Sequence, residues 1–289
     1  MKYLISGAGG QLGREWVRIL EESVRGDEFT ALKHSDFDIT DQDSVKKTLK
    51  HEKPDVLINC AAYTDVDGAE NDREKADLIN HIAIKNLAAE CADAGIKLVH
   101  YSTDYVFPGK KEDEQIYPDG YPEDAETGPV NIYGKTKLAG EEALKRGTNN
   151  YLLIRVSWLC GSSGKNFVKT MLRLGSERNE VSVVDDQIGS PAFTFDVAEK
   201  TRKLVQIGKT GTYHISSDGK ITWADFAEVI FSQAGLDVTV NRVTSEEFKT
   251  VAKRPAFSLL SKRKIVDEGL MPVPWKSGLS DLLNRLKTN

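Results

Sequence analysis

The 289-residue sequence predicts an α/β fold, a doubly wound parallel sheet followed by a smaller C-terminal domain, and three observations predict it. Short apolar runs recur at residues 2–6, 29–32, 56–59, 98–102, 152–156 and 181–184, each followed by a longer amphipathic segment. A glycine-rich turn follows the first run directly. The segment 73–94 (REKADLINHIAIKNLAAECADA) carries Ala and Leu at helical spacing and stops before Gly95. Strands spaced by helices pair parallel, because each connection is long enough to cross the sheet and return.

The elements follow in order. The first run opens a strand at the N-terminus, and the helix over 73–94 reads as a crossover, right-handed by default, with Gly95 as its C-cap. Segment 108–130 is acidic and holds four prolines, so it reads as a long loop. Beyond residue 215 the alternation changes: a helix headed by Thr222 (TWADFAEVIFSQAG) precedes VTVNRVTSEEF, KRPAFSLLSKRKI and an amphipathic tail. The expected division is a nucleotide-binding unit of residues 1–155 plus about 178–218, and a small unit of about 156–177 plus 219–289 that closes over the sheet's C-terminal edge.

Composition narrows the function. Lys plus Arg total 39 against 44 Asp plus Glu, a net charge of -5, which weakly repels a polyanion, so nucleic acid is not an expected partner. Cys60, Cys91 and Cys160 form no CxxC pair and are expected as buried thiols. No run approaches the ~18 apolar residues of a membrane span, and the N-terminus lacks signal-peptide character. A soluble cytoplasmic protein with no membrane partner is expected.

Gly7, Gly10 and Gly13 stand in GxxGxxG spacing between the first strand and a helix. A dinucleotide needs that context: a tight turn, close backbone approach to the pyrophosphate, and a helix N-terminus whose free N–H groups face phosphate, which makes the sheet Rossmann-type. The acid that binds an NAD ribose is expected about 20 residues on. Here the sequence reads Ala31-Leu32-Lys33-His34, and Lys33 suits a 2′-phosphate; NADPH is the expected cofactor and NADH the alternative. Asp38 and Ile39 are candidates to bracket the adenine.

Tyr133 and Lys137 lie four apart at the head of a helical segment, on one face, and Ser102-Thr103-Asp104 ends a strand upstream, at the edge where parallel sheets place active sites. Reducing a carbonyl needs a hydride on carbon and a proton on oxygen. A tyrosine, whose ordinary pKa is near 10, becomes a usable acid when an ammonium one turn away favours phenolate. Thr103 is expected to hydrogen-bond the carbonyl oxygen and Lys137 to hold the nicotinamide ribose.

These motifs resemble the extended short-chain dehydrogenase/reductase superfamily. Within it, Asn59-Cys60-Ala61-Ala62-Tyr63-Thr64-Asp65-Val66-Asp67-Gly68-Ala69-Glu70, Ser102-Thr103-Asp104-Tyr105-Val106-Phe107, Arg155-Val156-Ser157-Trp158, Asp186-Gln187-Ile188-Gly189-Ser190-Pro191 and Arg254-Pro255-Ala256-Phe257-Ser258 are similar to the dTDP-4-dehydrorhamnose reductase family. The resemblance implies reduction of a dTDP-linked deoxy-keto sugar, dTDP-4-dehydro-L-rhamnose, to dTDP-L-rhamnose, a surface-polysaccharide precursor. It implies catalysis by Thr103, Tyr133 and Lys137 and cofactor contact at Gly10, Gln11, Leu12, Asp38, Ile39, Ala61, Ala62 and Tyr63. By the same carry-over Val106, Trp158 and Asn166 lie near the sugar or nucleotide. Arg254 is suited to the diphosphate, which a guanidinium fork matches. Some family members dimerise through a magnesium ion held by several glutamates. Here Glu15 stands near the N-terminus, but the stretch after Pro191 reads Ala-Phe-Thr-Phe-Asp and the tail Asn-Arg-Leu-Lys-Thr-Asn. A monomer or weak homodimer without a bridging metal is therefore expected.

Two other readings share these motifs. A sugar-nucleotide epimerase or dehydratase, or another reductase, has the same loop and YxxxK, but dehydration commonly uses Asp-Glu after the threonine, where this chain has Asp104-Tyr105. A regulatory subunit of methionine adenosyltransferase has this fold without turnover, and the Thr103, Tyr133, Lys137 set would be idle there.

Overall fold

Among the described residues of the computed structural model, 1–23 and 26–288, six parallel strands form the central sheet. Along the chain the longer strands are β1 (Lys2–Ser6), β2 (Glu28–Leu32), β3 (Val56–Asn59), β4 (Lys97–Thr103), β5 (Tyr151–Val156), β6 (Glu180–Val184), β7 (Gly211–His214) and β8 (Thr239–Val243). The order across the sheet is β7-β5-β4-β3-β1-β2, every pair parallel. β2 and β3 flank β1, so the chain reverses its direction of travel there. In open sheets of this kind such a switch point, outside the C-terminal ends of β1 and β3, is where ligands bind.

Alternation along β1 covers both faces. Tyr3 and Ile5 pack with Leu12 and Trp16 of α1 (Gln11–Glu21), whereas Leu4 joins Val45 and Leu49 of α2 (Gln42–Glu52) and Ile84 and Leu87 of α3 (Ala83–Ala94). Burial on both sides is why these strands are continuously apolar. The helix expected over 73–94 is continuous but not uniform: Arg73–Asp77 and α3 are joined by a π-helical turn, Leu78–Ile82, and Gly95 caps the end at φ 70°. α4 (Ile132–Gly147) packs on α3 and on the π-turn.

The expected strand at 181–184 forms, but outside the central sheet. β6 pairs with β8, and the sixth central place belongs to β7. Val181 and Val183 turn toward a second core made by α5 (Phe167–Glu177), α7 (Trp223–Ala234) and α8 (Trp275–Thr288), with Val168, Met171, Phe226, Ile230 and Leu279. α6 (Thr194–Gln206) stays with the central sheet through Val197, Ala198 and Leu204. Thr222 heads α7 with a full capping box, its hydroxyl accepting from Asp225 N–H at 3.1 Å while Asp225 accepts from Thr222 N–H at 3.0 Å.

Segment 108–130 is mostly irregular, as its prolines require, yet it is anchored. A helical turn spans Asp113–Ile116, and Tyr121, 1% exposed, stacks on Phe107 at 4.4 Å and hydrogen-bonds Asp113. Cys91 and Cys160 are buried and Cys60 half-buried, all three as free thiols. Among the described residues no helix is long and apolar enough to cross a membrane.

Candidate active site

Gly7 turns the chain at φ 65°, and a Cβ there would lie 2.7 Å from the Ala61 backbone nitrogen. At Gly13 a Cβ would collide with the Gly7 carbonyl, so α1 docks on the loop only because the residue is glycine. Gly10 is the N-cap of α1. The N–H groups of Gln11, Leu12 and Gly13 precede the first helical bond, from Arg14 N–H to Gly10 O at 3.0 Å. Three free amides beside a glycine cradle that admits no side chain are what a pyrophosphate requires, and the residues present fit a dinucleotide. The Leu12 side chain is in the core, which leaves only its backbone amide to face a ligand.

Lys33 is exposed at the end of β2. It shares a surface cavity with Ala8, Gly9, Arg14, Ser162 and Ser163, and Arg14 Nε donates to Gly9 O at 3.0 Å. Arg14 escaped the sequence reading. It lies in the first turn of α1, and its only signal was position beside the glycines. Asp38 accepts from Thr40 N–H at 2.9 Å and Thr40 Oγ at 2.7 Å in an Asx-type turn, and Ile39 packs into the core below. Ala61, Ala62 and Tyr63 follow β3 beside the loop. Asn80 of the π-turn pins them: its Oδ1 accepts from Tyr63 N–H at 3.0 Å, and its Nδ2 donates to Tyr63 O and Thr136 Oγ, each at 3.1 Å. The π-turn supplies this buried amide, as such turns often do at functional sites.

Thr103 ends β4. Its hydroxyl donates to Asp104 Oδ1 at 2.9 Å and accepts from Tyr105 N–H at 3.2 Å. Asn131 caps α4 by accepting from Gly134 N–H at 2.8 Å, which starts the helix so that Tyr133 and Lys137 share the face toward β4. Tyr133 is half-buried, meets the Tyr105 ring edge-on at 5.7 Å and lies near enough to the Thr103 hydroxyl to feel it. Lys137 is 2% exposed and donates to Tyr101 O at 2.6 Å.

The electrostatics depart from the expectation of an acidified tyrosine. Burial pushes the Tyr133 phenol up to about 12, and the neighbouring Asp104 adds to this while the Thr103 hydroxyl opposes it. Burial also pushes Lys137 down to about 8 against the pull of Glu141. With Nζ turned to the Tyr101 carbonyl, the lysine does not act on the phenol in this arrangement. Asp104, 2% exposed, is pushed up to about 7 by burial, opposed by hydrogen bonds from Thr103 and Ser258.

A cavity of about 840 Å³ opens beside these residues, lined by Asp67, Tyr105, Phe167, Gln187, Trp223 and Arg254 among others. Its size suits a nucleotide-sized ligand. Arg254 reaches it from the 250–255 segment, which Asn131 Nδ2 holds to the head of α4 through Lys253 O at 2.8 Å. Trp158 stacks on Trp223 with ring centroids 3.6 Å apart and has φ 46°, a strained value for a tryptophan. Trp223, and not Trp158, forms the cavity wall; its place at the head of α7 gave no functional signal. Val106 is fully buried with Phe107, Tyr121 and Phe257, away from the cavity wall. Asn166 caps α5 and donates to Gln11 Oε1 at 2.9 Å, tying the small core to the glycine loop.

Glu15 is buried and engaged by Arg18 at 2.5 Å and Arg285 at 3.6 Å. Among the described residues no group of three or more His, Cys, Asp or Glu is arranged to hold a metal.

Comparison with known proteins agrees over the whole chain. Residues 1–288 match the family model described as the RmlD substrate binding domain. The chain is 42% identical to the spore coat polysaccharide biosynthesis protein SpsK of Bacillus subtilis (strain 168), covering 98% of this chain and 96% of that protein. It is 35% identical to the dTDP-4-dehydrorhamnose reductase of Escherichia coli (strain K12), over 100% and 99% of the two chains. The crystal structure of dTDP-4-dehydrorhamnose reductase from Bacillus anthracis in complex with NADP superposes with a TM-score of 0.93 at 40% identity, covering 98% of this chain and 99% of that one.

Proposed function

The chain belongs to the RmlD substrate binding domain family, and on that premise we propose that it is a cytoplasmic reductase that converts dTDP-4-dehydro-L-rhamnose to dTDP-L-rhamnose with NADPH. The observation that carries the reading is that Thr103, Tyr133 and Lys137 gather at the C-terminal end of β4, with Tyr105, which lines the cavity, packed edge-on against Tyr133. NADPH supplies the hydride.

The chain's own residues do the rest. The amides of Gln11, Leu12 and Gly13 bind the pyrophosphate, Lys33 and Arg14 meet the 2′-phosphate, and the stretch from Ala61 to Tyr63 borders the glycine loop. Thr103 offers a hydroxyl to the keto oxygen. Tyr133 Oη delivers the proton to that oxygen as negative charge develops, and Lys137 Nζ, once drawn from Tyr101 O, supplies the positive charge that eases the phenol's acidity. Arg254 grips the diphosphate, while Trp223 and Tyr105 wall the sugar nucleotide away from water. With Glu15 committed to Arg18 and Arg285, the same reading makes the protein a monomer or weak homodimer without a bridging metal.

Incubating the protein with NADPH and dTDP-4-dehydro-L-rhamnose tests this. The expected result is a fall in NADPH absorbance matched by dTDP-L-rhamnose. No oxidation with this substrate, together with turnover of another nucleotide-linked keto sugar, would overturn the substrate assignment.

A further inference from the structure

A row of buried polar side chains crosses the central sheet and ends at Lys137. Ser6 of β1, Asn59 of β3 and His100 of β4 are register partners, Ser6 with Asn59 and Asn59 with His100, and each is at most 1% exposed. Ser6 Oγ donates to Asn59 Oδ1 at 2.6 Å, and the backbone N–H of Ala61 donates to the same oxygen at 3.2 Å. An amide N–H donates only, so that atom is the carbonyl oxygen and the other is the NH2 group. The NH2 faces His100 Nδ1 at 3.0 Å.

The tautomer follows. His100 Nδ1 has to accept from Asn59, so a neutral ring carries its hydrogen on Nε2. Protonating Nδ1 would set two donors against each other, and burial, with the nearby Lys137 adding, holds the imidazole well below its ordinary range. His100 Nε2 stands 3.4 Å from Lys137 Nζ. An ammonium there meets a donor, whereas a neutral amine has a lone pair to accept with.

We propose that His100 is a positioning residue for the reaction: Asn59 and Ser6 fix it as the Nε2–H tautomer, and in that form it offers Lys137 Nζ no acceptor, which leaves the working ammonium to Tyr101 O and the phenol and sets the upper pH at which its charge is lost. The inference rests on the reading of Lys137 as part of the catalytic set. Other groups bear on the lysine as well. Glu141, one turn along α4, favours the ammonium, but its carboxylate is occupied by Arg155 of β5 through two hydrogen bonds of 2.9 and 2.7 Å. Tyr133 lies one turn before it, Asn80 meets α4 at Thr136, and Glu70 accepts from Ile132 N–H at 2.8 Å at the helix head. His100 opposes the charge by hydrogen-bond direction, and burial of the lysine acts in the same sense.

Two measurements on the full-length protein test the proposal. Imidazole ¹⁵N NMR of the wild type, with the His100 signal assigned by its loss in His100→Phe, should give the neutral Nε2–H form. His214 is the internal contrast, because its Nε2 accepts from Arg155 Nη1 at 3.3 Å and its hydrogen belongs on Nδ1. An Nδ1–H form or a charged ring at His100 overturns the proposal. The second measurement is the pH profile of kcat. His100→Phe keeps a ring and removes both nitrogens, so the alkaline limb should move up by about one pH unit. His100→Gln, whose amide can accept from Asn59 and donate to Lys137, should keep the wild-type limb. If Lys137→Met retains wild-type kcat, the catalytic reading itself falls. If Lys137→Met loses turnover while the limb of His100→Phe stays in place, only the role of His100 falls.

Discussion

Arg254 and Asp67 meet across the mouth of the cavity, Nη2 to Oδ2 at 2.7 Å, and Asp67 Oδ1 also accepts from Ala252 N–H at 2.9 Å. One carboxylate thus fixes both the guanidinium and the backbone that carries it. Arg254 Nη1 is buried without a hydrogen-bond partner and is free to serve a phosphate oxygen.

Arg254→Ala should raise KM about tenfold and lower kcat less, because a charge-assisted bond to the non-reacting diphosphate is mainly uniform binding. The side chains of the pair are 19% and 40% exposed, so the ion pair itself contributes about 0–1 kcal/mol and Tm should fall only slightly. Asp67→Asn should raise KM in the same direction by less. Steady-state kinetics beside a melting curve checks both, and a large fall in Tm with unchanged KM would make Arg254 a structural strut.

Cofactor choice is expected to follow the charge beside the glycine loop. Wild-type protein should show a lower KM for NADPH than for NADH, and Lys33→Ala should narrow the ratio about fivefold, the effect of roughly 1 kcal/mol from an exposed charge. Arg14→Ala, in the same cavity, should do likewise. Equal KM values for the two cofactors in the wild type would leave Lys33 as a surface charge.

Asp104 predicts a pH-dependent stability. Its folded pKa is raised to about 7, so the fold favours the protonated acid. The stability it contributes is complete below the unfolded value of about 4 and is lost as pH rises through about 7. Asp104→Asn keeps the shape and removes the titration, so Tm of the wild type minus that of the variant should become more negative from pH 4 to pH 8. A difference that is constant with pH would contradict the raised pKa.

The parts of the fold legible in the sequence were those with local signals. β1, the glycine loop and α1 are contiguous, and Gly7, Gly10 and Gly13 carry the loop's geometry in their own types. Asn131 and Thr222 likewise announce their helices. β6 was assigned to the wrong sheet because parallel pairing with β8 involves partners far apart in sequence, and an apolar alternation does not say which core it faces. No local pattern marks the π-turn at Leu78–Ile82. Asn80 is therefore visible as part of the site only once the fold brings Tyr63 and Thr136 to it. His100 needs the strand register as well. The packing of Val106 is likewise illegible locally: its partners Tyr121 and Phe257 come from distant segments, and only the fold shows that its side chain is buried among them.

Tyr133→Phe tests the central claim most directly, because it removes one oxygen and leaves the ring packed against Tyr105. With NADPH and dTDP-4-dehydro-L-rhamnose, the variant should bind NADPH with an almost unchanged Kd while kcat falls by about a hundredfold or more, the loss expected for a missing general acid. A variant that binds NADPH normally and turns over near the wild-type rate would show that the proton comes from elsewhere.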